Sequence, residues 1–116
     1  MTIRIYTEDG WWLLDDAYVP AVVAAEIGAA PAAAMRAQAI AARTYVLRAM
    51  RDDPKLGTPE KPIRSSESFQ VYDKGKAGKD ANDRALLASW TTAGIVMRWS
   101  GQTIIANFVA GARWTG

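Results

Sequence analysis

The sequence predicts an α+β fold: a small antiparallel sheet packed against two or three helices, with an alanine-rich helix at the centre. Three observations predict it. Ile3 and Ile5 alternate with polar neighbours up to Glu8-Asp9-Gly10, and Trp11 to Leu14 follow as a hairpin partner. Residues 32–51 are dominated by alanine, the strongest helix former. Ile95-Val96-Met97-Arg98-Trp99, the turn Ser100-Gly101 and Thr103-Ile104-Ile105-Ala106-Asn107-Phe108 form a second hairpin pattern. At 116 residues, half of them apolar, the chain is expected to be one compact domain spanning residues 1–116.

Each element has local signals. Trp11 and Trp12 suit core or edge packing, with a sugar-stacking platform as the alternative. Asp15 or Asp16 can cap a short helix over about residues 17–27, with Pro20 in its first turn and Gly28 as its stop. Pro31 suits the first turn of the alanine-rich helix, which is expected from about residue 32 to residue 50 or 51. Met35, Ala39, Ala42, Val46 and Ala49 recur at helical spacing and are its expected core face. Arg48 and Arg51 complement its dipole, and Asp53-Pro54 ends it. Residues 52–64 are rich in proline and charge and suit a surface loop. Phe69-Gln70-Val71-Tyr72 is a strand candidate, and residues 73–79 suit a basic, solvated loop. Asp80 or Asn82 can cap a third helix reaching Thr91 or Thr92, with Leu86 and Leu87 turned inward.

Composition removes several kinds of chemistry. With no cysteine there are neither disulfides nor thiolate metal sites, and with no histidine the Ser/His and Cys/His nucleophile systems are excluded. Acid–base work falls to Asp, Glu, Lys or Tyr. A formal charge of +2 is too balanced to point to nucleic acid. The start, MTIRIYTEDG, lacks the pattern of a secretory signal. No run of about 18 apolar residues exists, so no membrane span is expected. A target outside the membrane then calls for another route, such as a phage particle, a partner or a holin-type pore.

Against this background one acid stands out. Glu26 lies among Val22, Val23, Ala24, Ala25 and Ile27, and the next helix carries Gln38 and Arg43 on an apolar background. Apolar surroundings disfavour the charged carboxylate and raise its pKa, which suits a general acid. Cleavage of a glycosidic bond needs such a group. Among the other acids, Asp15, Asp16, Glu67 and Asp73 are candidate partners.

Four segments carry a family resemblance: Val19-Pro20-x-Val22-Val23-Ala24-Ala25-Glu26, Ala37-Gln38-Ala39-Ile40-Ala41-Ala42-Arg43-Thr44-Tyr45, Gln70-Val71-Tyr72, and Thr92-Ala93-Gly94-Ile95-Val96-Met97 followed by Trp99-Ser100-Gly101-Gln102-Thr103-Ile104. In this order they resemble the stage II sporulation protein D domain, a class of peptidoglycan lytic transglycosylases. The resemblance spans roughly residues 17–108. It implies that Glu26 is the catalytic acid and that Gln38, Arg43, Gln70 and Tyr72 line the glycan groove. Arg43 has an alternative role as an internal anchor bonding carbonyls or an acid. Some members bind zinc through Cys and His just before the Gln-Val-Tyr strand; Ser68 and Phe69 stand there in this chain, so neither metal nor other cofactor is expected. The family's usual Ser-Gly-Gly loop is replaced by residues 109–114, Val-Ala-Gly-Ala-Arg-Trp, which leaves one wall of the groove altered. A short version without a signal fits a phage-encoded protein.

The resemblance implies cleavage of the β-1,4 bond between N-acetylmuramic acid and N-acetylglucosamine in peptidoglycan glycan strands. The C6 hydroxyl of the muramic acid attacks its own anomeric carbon and leaves a 1,6-anhydro end, so one carboxyl can make both proton transfers. The alternatives are a non-catalytic glycan-binding or structural module of a phage tail or baseplate, and a hydrolytic muramidase using a second carboxylate.

Overall fold

The computed structural model describes residues 3–66, 70–72, 78–99 and 102–103. The expectations attached to Glu67, Ser68, Phe69, residues 73–77, residues 104–108 and the altered segment 109–114 lie outside the described residues.

Strand β1 (Arg4–Thr7) pairs antiparallel with β2 (Gly10–Leu13), with Ile5 opposite Trp12 and Thr7 opposite Gly10. The turn needs a residue tolerant of positive φ, and Gly10 adopts 108° there. Thr7 secures it: its hydroxyl donates to the Gly10 carbonyl at 3.0 Å and accepts from the Asp9 amide at 3.1 Å. Alternation buries Ile5 and Thr7 and leaves Arg4 outside. Trp12 packs edge-on against Tyr72, 5.0 Å between ring centroids, and leans on Tyr18. Trp11 lies outside, edge-on to Tyr6, with the Arg4 guanidinium 4.8 Å over its ring.

Residues 52–64 are more than a surface loop. Gly57 accepts from the Tyr6 amide at 2.8 Å, and Ile63 exchanges backbone bonds with Tyr6 and Glu8 at 2.9 and 3.0 Å. The segment thereby satisfies the outer edge of β1 and sends Ile63 into the core, while its charged residues stay in water.

β2 runs into a π-helical turn (Leu14–Tyr18) and then directly into α1 (Val19–Ile27), with Pro20 in the first turn of α1 as expected. Asp15 and Asp16 lie within the π turn and cap no helix: Leu13 precedes the turn without a side-chain bond, and both carboxylates have partners on other elements. Gly28 ends α1 without a left-handed residue, since its φ is −56°. Space decides instead. A Cβ at this position would stand 2.7 Å from the Ala24 carbonyl oxygen and 3.1 Å from the Ala81 methyl.

The alanine-rich helix α2 (Ala32–Asp52) is central, in contact with both α1 and the third helix. Pro31 sits just before it in extended conformation instead of inside its first turn. Met35, Ala39, Ala42 and Val46 are buried; Ala49 is half-buried. The third helix, α3 (Lys79–Thr91), packs on α1 and α2 through Ala85, Ala88 and Ser89. Leu87 faces outward and Leu86 is half-buried, because the close helix contact selects the small-residue face. Neither Asp80 nor Asn82 caps α3; Gly78 holds that position with no side-chain bond, and its carbonyl accepts from the Asn82 amide. The second hairpin is present as β3 (Arg98–Trp99) against β4 (Gln102–Thr103). Gln70 makes an isolated bridge with Ser65 in place of a strand. The whole is the expected α+β arrangement, with the core between the three helices and the inner face of the first hairpin.

Candidate active site

Glu26 is carried by the last turn of α1. Tyr18, Val22 and Glu26 recur every four residues, so they share one stripe of that helix. Val22 and Tyr18 are buried, whereas Glu26, next to the end of the helix, reaches the surface. Water therefore meets the carboxyl on one side while the packed helix surface closes the other. Desolvation raises its pKa above the usual carboxylate range. Nothing offsets that effect strongly. Among the described residues Glu26 has no ion pair, and its hydrogen-bond donor is the Gln38 amide nitrogen at a long 3.5 Å. A group so weakly supported in its charged form is suited to holding a proton. The exposure differs from a donor sunk in a groove floor, but it leaves the carboxyl open to a long polymer.

Gln38 is therefore brought to Glu26 across the α1–α2 contact. Tyr45 lies two turns further along α2 and is half-buried. Ionisation of the Tyr18 phenol is opposed by burial first, and then by Tyr72, Glu26 and Tyr45, which places all four groups in one neighbourhood. Burial also raises the Tyr45 pKa. These phenols stay protonated and neutral at ordinary pH and leave proton exchange to Glu26.

Gln70 and Tyr72 were expected on the groove surface, and both are buried. The Tyr18 hydroxyl donates to Gln70 Oε1 at 2.7 Å, and Gln70 Nε2 reaches the Ala42 carbonyl at 3.4 Å. Gln70 thus bridges the end of the π turn to α2. The Tyr72 hydroxyl donates to Glu8 Oε2 at 3.0 Å, which also accepts from the Ser65 amide at 2.8 Å. Burial and that anionic acceptor push the Tyr72 phenol well above its usual pKa. These side chains fasten residues 63–66 and 70–72 beside the Glu26 neighbourhood; with their polar atoms paired internally, they offer a glycan little in this conformation. Tyr18→Phe keeps the ring but strands Gln70 Oε1 in the interior. We expect a loss of about 1–3 kcal/mol, seen as a lower urea midpoint.

Arg43 is also turned away from a groove. Only 1% exposed, it donates from Nε to Asp15 Oδ1 at 2.7 Å. Its Nη1 donates to the Thr92 and Ile95 carbonyls at 2.9 and 3.0 Å, and its Nη2 to the Ser89 carbonyl at 3.0 Å. These contacts match the internal-anchor alternative. They leave the guanidinium no route to a substrate and commit its charge to Asp15, so it does not stabilise ionised Glu26. The neighbouring Thr44 does similar work: its hydroxyl donates to Ile40 O at 2.6 Å and accepts from the Met97 amide at 2.9 Å. The Arg43-Thr44 pair therefore locks residues 89–97 onto α2.

Tyr18 received no functional weight from sequence alone. Its four-residue repeat with Val22 and Glu26 was the available signal. Its partner Gln70 lies 52 positions away, so no local pattern announces that bond.

Fold and site together define a small α+β domain with a solvent-reachable carboxyl of raised pKa, Glu26, at the α1–α2 contact. The chain belongs to the stage II sporulation protein (SpoIID) family, whose model matches residues 13–99. Neither a curated protein nor a solved structure matches it significantly. The family is associated with peptidoglycan-degrading enzymes, and membership gives the chain a cell-wall-related role with peptidoglycan as the implied substrate. Among the described residues no helix is long and apolar enough to cross a membrane.

Proposed function

We propose that the protein is a peptidoglycan lytic transglycosylase in which Glu26 makes both proton transfers. The observation that carries this reading is the state of Glu26: a desolvated carboxyl of raised pKa, reachable by solvent, with no cation paired to it among the described residues. Its proton goes to the glycosidic oxygen as the bond to the muramic anomeric carbon breaks. The carboxylate then takes the proton of the C6 hydroxyl as that oxygen closes on the same carbon. Atoms and charge balance without water or a metal. Gln38 stands beside the acid with both a donor and an acceptor, suited to an N-acetyl group or a hydroxyl. Gln70, Tyr72 and Arg43 act behind the site, holding residues 63–66, 70–72 and 89–97 in place.

Among the described residues, the engagement of three other carboxylates favours a single-acid scheme over hydrolysis, while Glu67 and Asp73 lie outside them. Asp15 is bound to Arg43, Asp16 accepts from the Trp90 indole, and Glu8 is held by Tyr72 and Ser65. Among the described residues no carboxylate contributes to the shift of Glu26. A hydrolase would need a second one within about 5–10 Å.

The test is incubation with purified glycan strands in water enriched in heavy oxygen, followed by mass spectrometry. The proposal expects 1,6-anhydro ends carrying no solvent oxygen. Labelled reducing ends would instead identify a hydrolytic muramidase. Binding without cleavage would leave a glycan-binding module.

A further inference from the structure

We infer that the pocket between the π turn and the end of α3 binds an aliphatic primary ammonium, the group presented by a basic peptide side chain. Asp15, Asp16 and Trp90 form its polar rim, and Leu13, Leu14 and Ala93 line its apolar part. It is separate from the site above: Asp16 and Glu26 lie ten positions apart along nearly continuous helix, about 15 Å at the helical rise.

The walls are built before any ligand arrives. The buried Arg43 fixes Asp15 Oδ1 at 2.7 Å, and the Ser89 hydroxyl holds the Asp15 carbonyl at 2.7 Å. The Trp90 indole N–H donates to Asp16 Oδ1 at 2.7 Å, which orients both the ring and the carboxylate. Trp90 is nonetheless 53% exposed, so its ring is available to a ligand. Both aspartates belong to the π turn, and such turns recur at functional sites.

The ligand class follows from what the rim offers. The second carboxylate oxygen of each aspartate has no hydrogen-bond partner among the described residues, so two acceptors remain. The one side-chain donor in the lining, the Trp90 indole, is already engaged. A sugar bearing hydroxyl and N-acetyl groups needs donors as well as acceptors and is poorly served. An ammonium is donor-only and cationic. It matches two carboxylates of which Arg43 neutralises one, gains from an indole face, and brings a methylene stem suited to the apolar wall. This assignment does not depend on the transglycosylase reading.

The test follows the Trp90 indole N–H signal by proton–nitrogen NMR while Nα-acetyl-lysine methylamide is added to the intact protein. A saturable shift is expected. It should weaken about tenfold when the lysine amine is acetylated, and similarly in Asp16→Asn, with added salt reducing it further. Comparison of the two lysine derivatives on the unsubstituted protein decides the matter even if Asp16→Asn folds poorly. No shift, equal binding of the acetylated derivative, or displacement of the Trp90 signal by an N-acetylglucosamine trimer in place of the amine would overturn the assignment.

Discussion

Glu26→Gln is expected to reduce formation of 1,6-anhydro ends by about 10²–10⁴-fold, the usual contribution of a positioned acid–base group. The replacement keeps shape and hydrogen-bonding capacity but removes the transferable proton. The fold should survive it, because Glu26 is exposed and its bond to Gln38 is long. The stability effect has a definite sign. The folded-state pKa of Glu26 is raised, so the native state holds more protons than the unfolded chain between the usual carboxylate pKa and the raised one. Stability from this group is greatest below that window and declines as pH rises through it. The Gln variant lacks that decline and should gain stability relative to the unsubstituted protein at neutral pH. Loss of turnover combined with retained or increased stability is the signature of a catalytic group held in an unfavourable setting. Denaturation midpoints on both sides of the window, measured beside product yields, provide the check.

The second large effect is on stability. Arg43→Met should cost at least about 1.5–3 kcal/mol, the loss of charge-assisted hydrogen bonds, a sizeable share of the roughly 5–15 kcal/mol typical of a small domain. Methionine fills much of the volume, but it removes the charged donors that tie the Ser89, Thr92 and Ile95 carbonyls to α2, although the Ser89 and Thr92 carbonyls keep backbone donors from Thr92 and Ile95. Asp15 is 30% exposed, so water softens its own loss of a partner. The loss of these tethers between α2 and residues 89–95 dominates. Arg43→Lys should rescue little, because one ammonium cannot reproduce a planar fork spread over α3, residue 95 and the π turn. Urea denaturation followed by circular dichroism would show this as a lower midpoint. An unchanged midpoint would mean that the guanidinium network does not hold the fold.

These two residues also show how far the sequence could be read. The helices were legible where local chemistry governs: alanine composition, Pro20, Pro31, Asp53-Pro54 and the turn at Gly10 all act within a few residues. The isolation of Glu26 was legible because its neighbours in the chain are also its neighbours on α1. Orientation depending on remote partners was not legible. Leu87 faces out because α3 needs its alanine face against α1 and α2. Asp15 and Asp16 give up capping for Arg43 and Trp90, 28 and 74 positions away. Gly28 leaves room for the Ala24 carbonyl oxygen and for the Ala81 methyl of α3. Gln70 and Tyr72 carry groups suited to a sugar, yet an internal acceptor or donor claims each of them. Polar residue type identified the importance of these positions without revealing which way they face.

The most direct measurement is carbon NMR of the Glu26 side-chain carboxyl as a function of pH, assigned by its disappearance in Glu26→Gln. The account predicts a titration midpoint above that of an ordinary glutamate, still present in the free protein without glycan. A midpoint at or below the ordinary glutamate value would contradict it, because the carboxyl would then be stabilised in its charged form and poorly placed to donate a proton.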